Sequence, residues 1–206
     1  MLELPQDLVI PAPPPATPRL AARYEQLLST AGTFATREYA EVDVVEVAEE
    51  AGVASSTAHR YFPSSAHLLL ALHRRQLAEL KRRVENRANT VRDRQQRIRH
   101  LAGAAVELLH MRLAQPAVNA CLAELVVPAD HELTGLVGEV DELAWSLLAM
   151  LAGDEERGRS ILHIVSGLVS AVRTGRLMPL QAERQLKAAC EMLARRGAVR
   201  TAPARV

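Results

Sequence analysis

Two residues near the middle of the chain have the spacing of a metal-binding pair. Glu107 and His110 form a Glu-x-x-His unit, whose side chains would lie on the same side of a helix. Di-iron helical bundles need two such units and two further carboxylates, and the sequence has no second unit. It also has no glycine-rich phosphate loop, no Gly-x-Ser-x-Gly motif and no zinc-ligand spacing. We therefore expect that the protein is not an enzyme and uses no metal or cofactor.

A second group of polar residues lies close to residue 60. Hydroxyl, imidazole and guanidinium groups are concentrated there, and proteins direct such groups at the phosphates and base edges of DNA. Small residues such as Ala54 and Ala58 lie among them and would let a helix approach DNA closely. The candidate DNA-binding residues are Ser55, Ser56, Thr57, His59, Arg60, Tyr61, Ser64 and Ser65.

The residues around this segment predict two short helices joined by a tight turn. Asp43 is suited to cap the first helix. Gly52 is suited to end it, because glycine readily adopts the positive φ of a helix C-terminus. The second helix is expected from about Ser55 to Phe62, since Pro63 cannot continue it. This arrangement is typical of a helix-turn-helix, whose second helix enters the major groove.

The rest of the sequence also predicts helices. It is rich in Ala, Leu, Glu, Gln and Arg and poor in runs of β-branched residues. We expect an all-α fold, with an N-terminal three-helix helix-turn-helix domain and a C-terminal helical regulatory and dimerisation domain. The expected boundaries are a flexible Pro-rich arm over residues 1–18, the DNA-binding domain over 19–66 and the ligand-binding and dimerisation domain over 67–200. Helices are predicted over about 19–37, 44–51, 55–62, from 64 or 65 onward, 89–115, 116–127, 130–151, 154–173 and 180–196.

The helix-turn-helix segment resembles the DNA-binding domain of the tetracycline-repressor (TetR) family. The residues that carry the resemblance are Val47-Ala48, Ala51-Gly52-Val53-Ala54, Thr57-Ala58-His59, Tyr61-Phe62 and Ser64-Ser65-Ala66-His67-Leu68. The match is tight over about thirty residues and only architectural over the C-terminal part. It implies a homodimer that binds a palindromic DNA operator and a small-molecule effector.

Some residues depart from the pattern of that family where phosphate contacts are expected. His59 stands where the family usually has a tyrosine, and Ser65 where it usually has a lysine. Residues 19–75 carry six arginines against seven acidic residues, and the whole chain has a net charge of +1. The expectation of DNA binding therefore rests on the motif and not on charge.

The segment that follows is rich in arginine. Its ten basic residues, among Arg74–Arg99, face only Glu79, Glu85 and Asp93. Three interpretations remain open: a solvated helix surface, long-range attraction to DNA, or a site for an anionic ligand such as a coenzyme A thioester.

Two helices near the C-terminus have the composition of a dimer interface. Apolar residues nearly encircle the first and form a stripe along the second, and a helix that is apolar on several sides must be buried on several sides. Two such helices from each subunit would form a four-helix bundle. The candidate interface residues are Ile161, Leu162, Val165, Leu168, Val169, Val172, Leu186, Cys190 and Leu193.

The middle helices carry the candidate residues of an effector pocket. Methionine and a lone tryptophan suit an adaptable apolar cavity, although each residue could equally belong to an ordinary core. The candidates are His110, Met111, Cys121, Leu125, Trp145, Leu148 and Met150. We expect a largely apolar small molecule.

Together these features predict a ligand-responsive transcription regulator, most simply a repressor. The alternative is a degenerate TetR-like helical protein that acts by binding another protein. The two cysteines lack Cys-x-x-Cys spacing and no apolar run is long enough to span a membrane, so we expect a reduced, cytoplasmic protein.

Overall fold

Helices account for all the regular structure in the described part of the chain. The computed structural model describes residues 17–88, 93–124 and 131–196. The predicted fold class, all-α with an N-terminal helix-turn-helix, is confirmed. The helices are α1 (Pro18–Phe34), α2 (Val44–Glu50), α3 (Ser55–Tyr61), α4 (Ser65–Ala88), α5 (Arg94–Leu113), α6 (Pro116–Glu124), α7 (His131–Ala152), α8 (Glu155–Arg173) and α9 (Pro179–Arg196), with a short 3-10 helix at Tyr39–Glu41.

The turn between α2 and α3 forms as the local sequence predicts. The carboxylate of Asp43 accepts a hydrogen bond of 2.8 Å from the main-chain N–H of Val45, which caps α2. Gly52 has a φ of 63°, a conformation that costs glycine little. The main-chain N–H of Val53 then donates to the carbonyl of Ala48 at 2.9 Å and closes the turn. The chain is thereby redirected into α3.

An aromatic cluster holds α3 against α1. The ring of Tyr24 lies 5.5 Å from that of Tyr61 in an edge-to-face arrangement and 5.1 Å from that of Phe62. All three side chains are buried. Since burial of a large aromatic ring stabilises a small domain strongly, these contacts orient α3 and leave its opposite side exposed.

Carboxylate caps also define where the later helices begin. Asp93 accepts from the N–H of Gln96 at 2.7 Å, and Asp154 accepts from the N–H of Arg157 at 3.0 Å. Helix α5 begins at Arg94, directly after the capping carboxylate of Asp93. A glycine of positive φ, Gly153, separates α7 from α8.

The chain divides into two compact units. One comprises the residues up to Arg75 together with Gln115–Val140, and the other comprises Gln76–Ala114 and the residues from Asp141 onward. Helices α4 and α7 are each shared between the two units. A hydrogen bond and an ion pair are among the contacts that join the later segment of the first unit to its N-terminal part: the N–H of Ala117 donates to the carbonyl of Ala35 at 3.3 Å, and Arg74 pairs with Glu139 at 3.0 Å.

In the second unit, α5, α8 and α9 pack on one another, and α7 crosses α8 very closely. A Cβ atom on Gly158 would lie only 2.5 Å from the main-chain nitrogen of Ala149. The close approach of α7 and α8 at this point therefore requires glycine at position 158.

Some expectations concern residues outside the described ranges. These are the Pro-rich arm up to residue 16, the start of a helix at 89–92, the cap at 128–130, and Leu125. Among the described helices, none combines the length and apolar character needed to cross a membrane.

Candidate functional site

The exposed side of α3 carries most of the polar residues singled out from the sequence. Ser56, His59 and Arg60 are exposed, and Ser55 and Thr57 are partly exposed. We call these five residues the α3 donor face. Ala58 is fully buried, so one side of the helix packs on the domain while the other offers hydrogen-bonding groups.

His59 is held by the first residue of its own helix. Its Nδ1 lies 3.1 Å from the main-chain oxygen of Ser55 and 3.3 Å from the hydroxyl of the same residue. A protonated Nδ1 can donate to that carbonyl oxygen, and an unprotonated Nδ1 can accept from the hydroxyl. In either tautomer Ser55 engages Nδ1, and Nε2 is the nitrogen left for another partner.

Arg60 is supported by its neighbour Tyr61. The guanidinium donates to the tyrosine hydroxyl at 3.4 Å, and its carbon lies 5.1 Å from the centre of the ring. Tyr61 itself, a candidate DNA contact from the sequence, is buried in the aromatic cluster. Its contacts in this structure are to the core of the domain and to Arg60.

The hydroxyls at the start of α4 are engaged within the protein. The hydroxyl of Ser64 lies 2.8 Å from Nδ1 of His67, and that of Ser65 donates to the carbonyl of Val42. These bonds fix the start of α4 at Ser65, four residues after the last residue of α3. The N-terminus of α4, which carries a partial positive charge, therefore follows the donor face directly along the chain.

The arginines of the first unit differ in their neighbours. Three are paired with carboxylates: Arg37 with Glu46 at 3.4 Å, Arg75 with Glu25 at 2.9 Å and Arg74 with Glu139 at 3.0 Å. Among the described residues, no carboxylate lies within ion-pair distance of Arg60. Although acidic residues outnumber basic ones in this unit, three of them pair with other arginines, and the guanidinium of Arg60 on the donor face is available.

The predicted effector-pocket residues are divided between the two units. Cys121 is buried in the first unit, and Leu125 lies outside the described residues. The others belong to the second unit, where Leu148 is buried, Met111 is partly exposed and Met150 is exposed. Trp145 lies under the guanidinium of Arg159, 4.7 Å from it.

His110, the remaining candidate, is exposed on α5. Its Nε2 lies 3.3 Å from a carboxylate oxygen of Glu183, which also pairs with Lys187. Together these partners hold the pKa of Glu183 below its usual value, Lys187 contributing most. Glu107 pairs instead with Arg83 and Arg87, at 3.3 and 3.1 Å, so the Glu-x-x-His unit is engaged in two separate surface ion-pair clusters.

A buried charged group that the sequence did not single out lies inside the second unit. Arg112 is only 6% exposed and donates to the hydroxyl of Ser166 at 3.2 Å. Desolvation lowers the pKa of Arg112, and attraction to Asp141 opposes this shift. Desolvation also raises the pKa of Asp141, and attraction to Arg112 and His163 opposes that shift. Only the packing of α5, α7 and α8 reveals this cluster.

Most of the predicted dimer residues are buried within the subunit. Ile161, Leu162, Val165, Leu168, Val169, Leu186 and Cys190 are buried, and Val172 and Leu193 are partly exposed. Large apolar side chains are exposed instead at or just before α9: Met178 is 67% exposed, Leu180 64% and Met192 63%.

The described part of the chain has a helix-turn-helix with an exposed donor face, followed by a longer helical region. This arrangement is typical of helix-turn-helix regulators. Residues 27–72 match the family described as bacterial regulatory proteins, tetR family. The DNA-binding domain of the chain is therefore similar to that of the TetR family of bacterial regulatory proteins.

The similar proteins include a repressor and several regulators of known structure. Over 126 residues the chain is 29% identical to the HTH-type transcriptional repressor KstR of Mycolicibacterium smegmatis. That match covers 61% of this chain and 60% of the repressor, so the chain spans less than two thirds of that relative. A TetR transcriptional regulator from Rhodococcus sp. RHA1 is 25% identical, with a TM-score of 0.66, and the alignment covers 85% of this chain and 98% of that one. FadR of Thermus thermophilus, a TetR-family repressor in complex with lauroyl-CoA, is 18% identical, with a TM-score of 0.63 and coverage of 89% and 99%.

Proposed function

We propose that this protein is a transcriptional repressor that binds a palindromic operator as a homodimer and is released by a small, largely apolar effector. The observation that carries the proposal is the α3 donor face. It presents Ser56, His59 and Arg60 outward from a helix that Tyr61 anchors in the core. The similarity to the KstR repressor supports the same function.

Helix α3 would enter the major groove, where hydrogen-bond patterns distinguish the base pairs. Arg60 is suited to donate two hydrogen bonds to a guanine or a phosphate, because its guanidinium has no carboxylate neighbour among the described residues. Thr57 and the two serines offer hydroxyls that reach either a base or the backbone. The small side chains beside them permit close approach.

Two copies of α3 would bind successive major grooves, roughly 34–36 Å apart along the DNA. We assign the dimer contact to the exposed apolar residues of the α8–α9 region, Met178, Leu180 and Met192, rather than to the residues that are buried within the subunit.

The effector would act by favouring a domain arrangement in which the two recognition helices no longer match the operator. Helices α4 and α7 each have residues in both compact units, so a change in one unit has a continuous helical route to the other. The lauroyl-CoA bound to a protein of the same fold supports an effector with an acyl chain.

The test is binding to the promoter upstream of the protein's own gene, measured by fluorescence anisotropy over a range of salt concentrations. Arg60→Ala should weaken binding by about 1–3 kcal/mol if Arg60 contacts a base, and should lower the salt slope by about one if it contacts phosphate. Arg176→Ala, which removes an exposed arginine from the second unit, is the matched control and should bind like the unmodified protein.

Equal affinity and equal salt slope for Arg60→Ala and the unmodified protein would remove Arg60 from the interface. If the unmodified protein shows no salt-dependent affinity for the promoter, the proposal of repression fails, and a role in binding another protein becomes the better interpretation.

A further inference from the structure

A cavity of about 340 Å³ lies in the second unit, apart from the residues that the sequence suggested for an effector. It is formed where α5 and α8 begin and where α7 and α9 end. Three arginines line it, Arg94, Arg97 and Arg157, and among the described residues no carboxylate does.

The three arginines are not equivalent. Arg94 donates to the main-chain oxygens of Ala194 and Arg195, both at 3.2 Å, so its guanidinium is held at the end of α9. Arg97 and Arg157 have no carboxylate within ion-pair distance among the described residues. Two guanidinium groups beside one cavity, with a third held in place, form a site of positive charge that the protein's own acids do not neutralise.

Helix dipoles do not account for this charge. The N-termini of α5 and α8 contribute partial positive charge, but the C-termini of α7 and α9 contribute partial negative charge at the same end of the unit. Arg94 occupies two of the carbonyls of α9. The attraction for an anion therefore comes mainly from the side chains of Arg97 and Arg157.

The remaining walls of the cavity are apolar. Ile98 and Leu101 are buried and Leu151 is partly exposed, and two alanines complete the lining. A volume near the lower end of ordinary ligand pockets suits a small molecule. A bare inorganic anion would leave the apolar walls in contact with water, and an uncharged hydrocarbon would leave the arginines without a partner.

We propose that this cavity binds a small amphipathic anion. Its carboxylate or phosphate group is held by Arg97 and Arg157, with Arg94 at the edge, and its short aliphatic chain lies on the partly exposed Leu151, Ala152 and Ala194. Arginine suits both head groups, since its planar donors pair with two oxygens at once. This site stands independently of DNA binding, and its occupancy can be measured without an operator.

The experiment is calorimetric titration of the full chain with octyl phosphate, octanoate, octanol and inorganic phosphate. We expect one or both of the amphipathic anions to bind more tightly than octanol and inorganic phosphate, and the tighter of the two identifies the head group. The double variant Arg97→Gln/Arg157→Gln should lose about tenfold or more in affinity for it. The control Arg99→Gln/Arg176→Gln removes the same charge from exposed positions outside the cavity and should retain the affinity.

A further variant, Ala194→Trp, places a large side chain at the cavity lining and removes none of the three arginines. It should abolish binding, which separates the cavity from a general attraction of anions to a basic surface. The proposal is overturned if neither octyl phosphate nor octanoate binds, if octanol or inorganic phosphate binds as tightly as they do, or if the two double variants behave alike. It is also overturned if Ala194→Trp, with an unchanged circular dichroism spectrum, still binds.

Discussion

Nδ1 of His59 lies 3.1 Å from the main-chain oxygen of Ser55, one helical turn earlier in α3. A protonated Nδ1 can donate to that oxygen, and an unprotonated Nδ1 can accept from the Ser55 hydroxyl, which lies 3.3 Å away. In both arrangements Ser55 engages Nδ1, and Nε2 is the ring nitrogen that can contact DNA.

The first prediction is that His59 contributes to operator binding through Nε2. His59→Ala removes the imidazole from the donor face and should weaken binding by about 1–3 kcal/mol if the ring contacts a base or a phosphate. His59→Tyr keeps a hydrogen-bonding group at this position and should retain more of the affinity. The measurement is operator affinity for the three proteins at one salt concentration, and unchanged affinity of His59→Ala would show that His59 does not contact DNA.

The second prediction separates the dimer interface from the core of the subunit. Met192 is 63% exposed, and we expect Met192→Glu to place a charge in the subunit interface and to yield folded monomers in sedimentation experiments. Leu168 is buried inside the subunit, so Leu168→Glu should instead lower the free energy of unfolding by several kcal/mol, roughly the cost of burying an unpaired charge. A stable dimer from Met192→Glu would place the interface on another surface.

The third prediction concerns the crossing of α7 and α8. Gly158→Ala adds a methyl group that would lie 2.5 Å from the main-chain nitrogen of Ala149, so the helices must separate. The expected loss in the free energy of unfolding is about 1–3 kcal/mol, as for other overpacked sites. Gly167→Ala is the control in the same helix. Nothing lies within 4 Å of its added carbon, and alanine favours the helix by up to about 1 kcal/mol.

Urea denaturation of the three proteins measures both effects. If Gly158→Ala is as stable as Gly167→Ala, the close contact of these helices is not a constraint on the fold.

The fourth prediction is that both thiols react slowly in the folded protein. Burial raises the pKa of Cys121 to about 12 and that of Cys190 to about 11, so little thiolate is present at about pH 8. Iodoacetamide should leave both unlabelled under native conditions and label both in urea, as measured by mass spectrometry. Rapid native labelling of either cysteine would show that its helix opens readily.

Much of the DNA-binding domain could be predicted because its determinants are local. Asp43 caps a helix that starts at the next residue, Gly52 supplies the φ of the turn, and Pro63 follows the end of α3. The interactions involved join residues a few positions apart. The same local pattern could not show that Tyr61 would turn into the core, because its partner Tyr24 lies in another helix.

Tertiary packing alone decided where the charges of the second unit lie. The sequence showed an arginine-rich segment with three possible roles, but Arg157 comes from α8 and joins Arg94 and Arg97 only because the helix ends meet. Similarly, the spacing of apolar residues in α8 and α9 indicated burial without showing what would cover each side. Periodicity is a property of one helix, whereas a cavity or an interface depends on which helices pack together and on the space their side chains leave unfilled.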